Sequence, residues 1–363
     1  MRTFWGIGIF ILIGLITAIG IGFFSQFNNT PSAYDDEQIG LGQQTIIKFS
    51  YVVAENTPKG LAAQEFARLV KDKTNDSVRV ELFPNASLYN ETDEVEALQR
   101  GRVQMIAPSF SNISEVVPEW MVMDLPFAFQ NEAAVEQAFQ STIGDILLRK
   151  LEPEGIIGLG FWGNGFQQMT SNRGLLVHPE DFRDLRFRIL PSKVIEAQFH
   201  HLKATTISIP FNQVYRSMES GKVDAGENTI SNIYSKKLYE VQKHLTLSNH
   251  AYLGYGVLMN KSFWEKLPQN QRKAIAEAMQ ETTAWANQNA ISTNRKQWEE
   301  LIKKNQMGIH ILSPEERREW QQTLEPVYQE VEPYIGKELM EAVYELRNRF
   351  SDQPPPALDY NND

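Results

Sequence analysis

The chain contains no cysteine in its 363 residues. That excludes disulfides, thiolate metal sites, a cysteine nucleophile and a lipidated-cysteine anchor. It does not set the compartment, because a chain of this length buries enough apolar surface to fold without covalent staples. Excess positive charge is also missing: 35 Lys and Arg stand against 45 Asp and Glu, a net charge of −10. This balance argues against a broad nucleic-acid surface. It does not argue against a small anionic ligand, because a few cations in a low-dielectric cleft outweigh charge spread over a screened surface.

Catalytic signatures are absent too. No H-E-x-x-H, G-x-S-x-G or P-loop occurs. The histidines at 178, 200, 201, 244, 250 and 310 show no metal-ligand spacing. Acid pairs such as Asp93/Glu94 and Glu299/Glu300 read as solvated helix faces. Gly158-Leu159-Gly160-Phe161-Trp162-Gly163 has the spacing of a dinucleotide fingerprint. The fingerprint requires a helix next. Asn164-Gly165-Phe166-Gln167 is a poor helix start, and no acid closes a second strand about 20 residues on. Those glycines are expected to let the chain cross between lobes. No enzyme, cofactor or metal is expected.

What is present begins with an apolar run from Phe4 to Phe24, free of charge and long enough to cross a bilayer. Its length and the lack of a good cleavage site favour a membrane anchor over a cleaved signal. Arg2 before it and acids after it put the rest of the chain outside the cytoplasm. The protein is then either tethered to the cell membrane or, if cleaved, secreted or periplasmic. Residues 28–44 read as a polar linker. Residues 351–363, with Pro354-Pro355-Pro356, read as a loose tail.

Between them, strand-like and helix-like patterns alternate, which points to an α/β fold. Strands are expected at Ile46–Val53, Val78–Phe83, Met105–Ala107, Ile156–Trp162, Phe187–Leu190, Thr205–Ile209 and Leu253–Met259. Helices are expected from Pro58, over Glu91–Gln99, Lys193–Leu202, Phe211–Ser220 and Lys261–Lys266, and from Ser313-Pro314. The opening β-α-β-α-β order suggests a parallel sheet. Residues 269–305 hold neither Gly nor Pro. A single helix there would reach ~55 Å at 1.5 Å per residue and touch both lobes. The alternative is a break near Ser292-Thr293-Asn294.

Three stretches carry the functional signal. Phe49 to Gly60 is a strand, a polar turn and a helix N-terminus, whose free N–H groups favour an anion. In Leu185-Arg186-Phe187-Arg188-Ile189-Leu190, arginines alternate with apolar residues. That suits either a partly buried carboxylate or a structural ion pair. Ser208 to Tyr215 leads on to Gly226-Glu227-Asn228-Thr229, where Asn228 could offer an amide to a ligand.

Together these stretches resemble the solute-binding proteins of TRAP transporters, the DctP-type dicarboxylate receptors. The resemblance runs from about Thr45 to Arg349. It covers F-S-x-V-V-A-E-N-T-P-K-G from Phe49, Val95 to Gly101 with Met105 to Ser109, Phe187–Ile189, P-F-x-x-V-Y from Pro210 and G-E-N-x-x-S-N-I-Y from Gly226. The apolar N-terminus and Tyr34-Asp35-Asp36 look closest to a membrane-tethered branch, some of whose members report dicarboxylates to a two-component sensor.

The resemblance implies a two-lobed periplasmic-binding-protein-like fold with a cleft, crossover strands and one long bridging helix. Lobe I would comprise 45–165 and 254–290, lobe II 166–253 and 291–350, with 1–27 as the anchor or signal. It implies that Arg188 clamps a ligand carboxylate, that Asn228 helps hold it and that Phe211 packs on the ligand. Ser109 would face the cleft. Lys59 and Tyr51 would belong to the first cleft loop, and Tyr252 and Tyr255 would follow the second crossover. The family often places Lys or Arg after Gly-Phe, where this chain has Gln167. Gln167 donates hydrogen bonds but carries no charge, so either Lys59 supplies the charge or the ligand is a monocarboxylate. The implied partners are TRAP membrane subunits or a sensor-kinase ectodomain, and the implied state is a monomer.

Overall fold

The computed structural model describes residues 44–355. The apolar run Phe4–Phe24 and most of the linker and tail lie outside the described residues. No described helix is long and apolar enough to cross a membrane.

The chain opens with β1 (Thr45–Ser50), α1 (Pro58–Lys73), β2 (Val78–Phe83), α2 (Glu94–Gln99), β3 (Met105–Ile106) and α3 (Phe110–Ile113). A 3-10 segment, Pro118–Asp124, leads to α4 (Glu132–Phe139), α5 (Thr142–Lys150) and β4 (Ile156–Ser171). Then come β5 (Arg186–Ile189), α6 (Lys193–His201), β6 (Thr205–Ser208), a 3-10 turn Phe211–Gln213 and α7 (Val214–Glu219). Next are β7 (Ala225–Thr229), α8 (Ile230–Ser235), β8 (His244–Leu247), β9 (Tyr252–Asn260) and α9 (Lys261–Lys266). The body ends with α10 (Gln269–Lys304), β10 (Gly308–Ile311), α11 (Pro314–Ile335) and α12 (Lys337–Phe350).

The strands follow the order β2-β1-β3-β9-β4-β7-β5-β6, with β8 also on β4 and β10 on β8. β1 and β3 are parallel, as the opening order suggests, but β9 joins them antiparallel. β4 is the shared element. Its residues 156–166 pair with β9, and its residues 167–171 pair with β7. One part of the fold is thus built around β1, β3 and β9, and the other around β5, β6 and β7.

β4 is also where the sequence pattern misleads. The apolar run stops at Trp162, but the strand continues to Ser171. Polar residues continue it because they find partners inside: Asn164 Nδ2 donates to Thr229 Oγ1 at 2.7 Å. Gln168 Oε1 accepts from the Ser248 and Asn249 N–H groups at 2.9 and 3.1 Å. The glycines at 158, 160 and 163 lie within this strand and open no helix, so they do not frame a nucleotide.

α10 is continuous over 36 residues and packs on α1 and β4 and on α8, so it touches both parts. Asn294 does not break it. Its Nδ2 donates to Asn164 O at 2.6 Å, and its Oδ1 accepts from Ser231 N at 2.9 Å. Two turns earlier, Asn287 Oδ1 accepts from Gly163 N at 2.7 Å. The asparagines that weaken helix propensity are the ones that tie the helix to the crossover strand.

Several boundaries differ from the sequence pattern. β1 ends at Ser50, although the Tyr51 N–H still bonds to Phe83 O of the neighbouring β2 at 3.0 Å. α2 begins at Glu94, three residues late, because the chain turns at Asn90. The expected helix from Phe211 opens as a 3-10 turn, and α7 starts at Val214.

Candidate ligand-binding cleft

Local structure places each side chain of the cleft. Thr57 caps α1 by accepting from Gly60 N at 3.2 Å, with Pro58 in the first turn. Gly60 is required there: a Cβ would lie 2.4 Å from Ala54 O. The tight turn holds Lys59 inward, 2% exposed. Its Nζ donates to Ala107 O at 2.9 Å and lies 3.8 Å from the Tyr255 ring centre. Ser109 caps α3 beside it and bridges to Tyr255. α3 reaches β9 because Gly254 has no side chain; a Cβ there would meet the Phe110 ring at 2.4 Å.

From the other part comes β5, with Phe187 stacked on Phe182 and Phe199 in the core. One of its two arginines takes the structural ion-pair role that the alternation allowed. Arg186 forms a bidentate pair with Asp224 at 2.9 and 3.0 Å, which holds the Asp224 carboxyl down at about 2. Arg188 has no such pair. It is 2% exposed, donates through Nε to Ile209 O at 2.8 Å, and its Nη2 has no partner among the described residues. Burial lowers its pKa, and the charges of Glu91 and Glu227 partly offset that. Asn228 on β7 accepts through Oδ1 from Thr229 N (3.0 Å) and Asn232 Nδ2 (2.8 Å). That orientation leaves its amide N–H groups as the donors it offers.

Lys59, Ser109, Gln167, Arg188, Phe211, Asn228 and Tyr255 all line one cavity, with an empty volume of about 320 Å³. Tyr51 and Tyr252 do not. Tyr51 shares a face with Phe49 and packs edge-on to it in the core, ring centres 5.6 Å apart. Its hydroxyl is buried without a partner among the described residues, and burial raises its pKa. Tyr252 is an odd number of residues from Tyr255, so strand alternation turns it to the opposite face. There it meets Phe166, Phe129 and Phe139.

The sequence reading missed Glu91 and Asn232, which also line the cavity. It was wrong about Glu94, which is fully buried rather than a solvated helix face. Both Glu94 carboxyl oxygens lack a partner among the described residues. Burial raises the Glu94 pKa to about 8, against the pull of Lys59, while a neighbouring Glu91 charge adds to the rise. Burial lowers the Lys59 pKa to about 8, against the pull of Glu94 and Glu91. Behind Asn228, Glu227 Oε2 lies 2.9 Å from His250 Nε2, a buried pair that backs the site without lining it.

The arrangement offers two buried cations and an amide to an anion in the cavity. The family model for bacterial extracellular solute-binding protein, family 7 (DctP), matches residues 49–333. The chain belongs to this family. It is a solute-binding protein, not an enzyme, and works outside the cytoplasm. The C4-dicarboxylate-binding protein DctB of Bacillus subtilis (strain 168) is 46% identical over 336 residues, 93% of this chain and 96% of that protein. The C4-dicarboxylate-binding periplasmic protein DctP of Rhodobacter capsulatus is 43% identical over 304 residues, 84% of this chain and 91% of that one. The crystal structure of a TRAP periplasmic solute-binding protein from Shewanella oneidensis with bound succinate matches with a TM-score of 0.81 at 38% identity. It covers 84% of this chain and 99% of that one. The α/β fold with a long helix contacting both parts is that of the TRAP solute-binding proteins.

Proposed function

We propose that the protein captures a four-carbon dicarboxylate, such as succinate, fumarate or malate, and delivers it to TRAP membrane subunits. One observation carries this reading. Arg188 and Lys59 are both about 2% exposed and line the same cavity, and no acid lies within ion-pair distance of either among the described residues. Two buried cations without a paired acid are costly unless an anion joins them. One ligand carboxylate meets the Arg188 fork and the Asn228 amide; the other faces Lys59 and Gln167. In this reading the empty protein opens, with 45–165 and 254–290 moving against 166–253 and 291–350. The ligand favours the closed arrangement, and the membrane partner reads the change of surface. The relatives that bind C4-dicarboxylates and succinate support the ligand class.

A thermal-shift screen of organic acids against the whole chain tests the proposal. Succinate, fumarate or malate should raise the melting temperature, and acetate or lactate should do so far less. A larger shift from a monocarboxylate would overturn the dicarboxylate assignment.

A further inference from the structure

Glu91 belongs to the loop between β2 and α2. Thr92 N bonds to Asn90 Oδ1 at 2.9 Å, and the N–H groups of Asp93 and Glu94 turn back to Asn90 O at 3.2 and 3.0 Å. This turn takes Glu91 off the line of the helix and leaves it facing the cavity. There Glu91 Oε2 accepts a hydrogen bond from Phe211 N at 2.7 Å. Phe211 follows β6, so the bond joins a loop of one part to the backbone of the other. The Phe211 N–H is the first of a 3-10 turn and has no acceptor within its own turn. The bond is charge-assisted, and Glu91 is only half-exposed. The same carboxylate favours the charged forms of Lys59 on one side and of Arg188 and Lys236 on the other.

We propose that Glu91 is a positioning residue that latches the β2–α2 loop to the Phe211 backbone across the cleft, holding the closed arrangement and slowing ligand release. This rests on the binding role proposed above. A latch acts after the ligand has entered, so its loss changes dissociation rather than association. It works through an acceptor oxygen, so an amide in its place keeps part of the effect.

The test is stopped-flow binding of succinate to the wild type, Glu91→Gln and Glu91→Ala. Glu91→Ala should release succinate about tenfold faster than the wild type. Glu91→Gln should fall between the two and nearer the wild type. Wild-type dissociation in Glu91→Ala would overturn the latch, as would Glu91→Gln releasing as fast as Glu91→Ala. A ligand-free readout separates this proposal from the ligand class. Hydrogen exchange at the Phe211 amide should be faster in Glu91→Ala than in the wild type. If the wild type does not bind succinate, the dicarboxylate reading falls and the Phe211 amide alone decides. Equal exchange in the two proteins then overturns the latch.

Discussion

The Lys59 ammonium lies over the Tyr255 ring at 3.8 Å while donating to Ala107 O at 2.9 Å. Both contacts stabilise the cation, and neither neutralises it. Burial still lowers its pKa to about 8, against the pull of Glu94 and Glu91. A bound carboxylate favours the ammonium form, so binding above pH 8 takes up a proton. Dicarboxylate affinity should stay level near pH 7 and fall above pH 8, by up to about tenfold per pH unit for one proton. Calorimetry from pH 7 to 9.5 measures this, and Lys59→Met should bind weakly with no such slope. In the empty protein the sign is opposite. The unfolded lysine keeps its proton to higher pH, so this group adds stability as pH rises above 8.

Arg188→Ala should cost on the order of 2–5 kcal/mol of succinate affinity, the range for one partner of a desolvated charge pair. Arg188→Lys keeps the charge but not the fork, and should fall between the two. Titration calorimetry gives both values. Full affinity in the alanine variant would remove Arg188 from the site.

Gln167→Lys restores a charge where the family often has one. It should tighten dicarboxylate binding and leave monocarboxylates nearly unchanged. A parallel series of succinate and propionate titrations reads the difference. Equal gains for both ligands would mean that position 167 does not face the second carboxylate.

Glu94→Met should stabilise the empty protein, by about 1–3 kcal/mol for removing a buried group without partners. The gain should grow with pH. The folded carboxyl is raised to about 8, so between its unfolded pKa and pH 8 the folded protein holds a proton that the unfolded chain has released. Wild-type stability therefore falls across that window, and methionine does not titrate. Urea unfolding at pH 5 and pH 8 compares the two proteins.

What the sequence made legible follows from physics of different range. α10 could be read because 37 residues without Gly or Pro leave the backbone few alternatives. Arg188 stood out through its alternation with Phe187 and Ile189 together with the family resemblance. β10 was not visible, since Ile309 and Ile311 are exposed and carry no core signal. The second half of β4 was not visible because its buried residues are polar and satisfied by partners far along the chain. Glu91 depends on a turn set by Asn90 and on an N–H 120 residues away, which no local pattern records. Tyr252 was misplaced for a simpler reason: position in a strand names the neighbourhood, but parity chooses the face.

β4 has a mechanical consequence. It runs unbroken through both parts, paired along most of its length, so the opening proposed above would bend a hydrogen-bonded ribbon. Its ladder slips register between Gly158 and Gly160 and between Gly163 and Gly165, where the pairing is locally disrupted. Ligand affinity then includes the elastic work of flexing that ribbon. Substitutions at these glycines should tune binding from outside the cavity, by changing a spring constant rather than a contact.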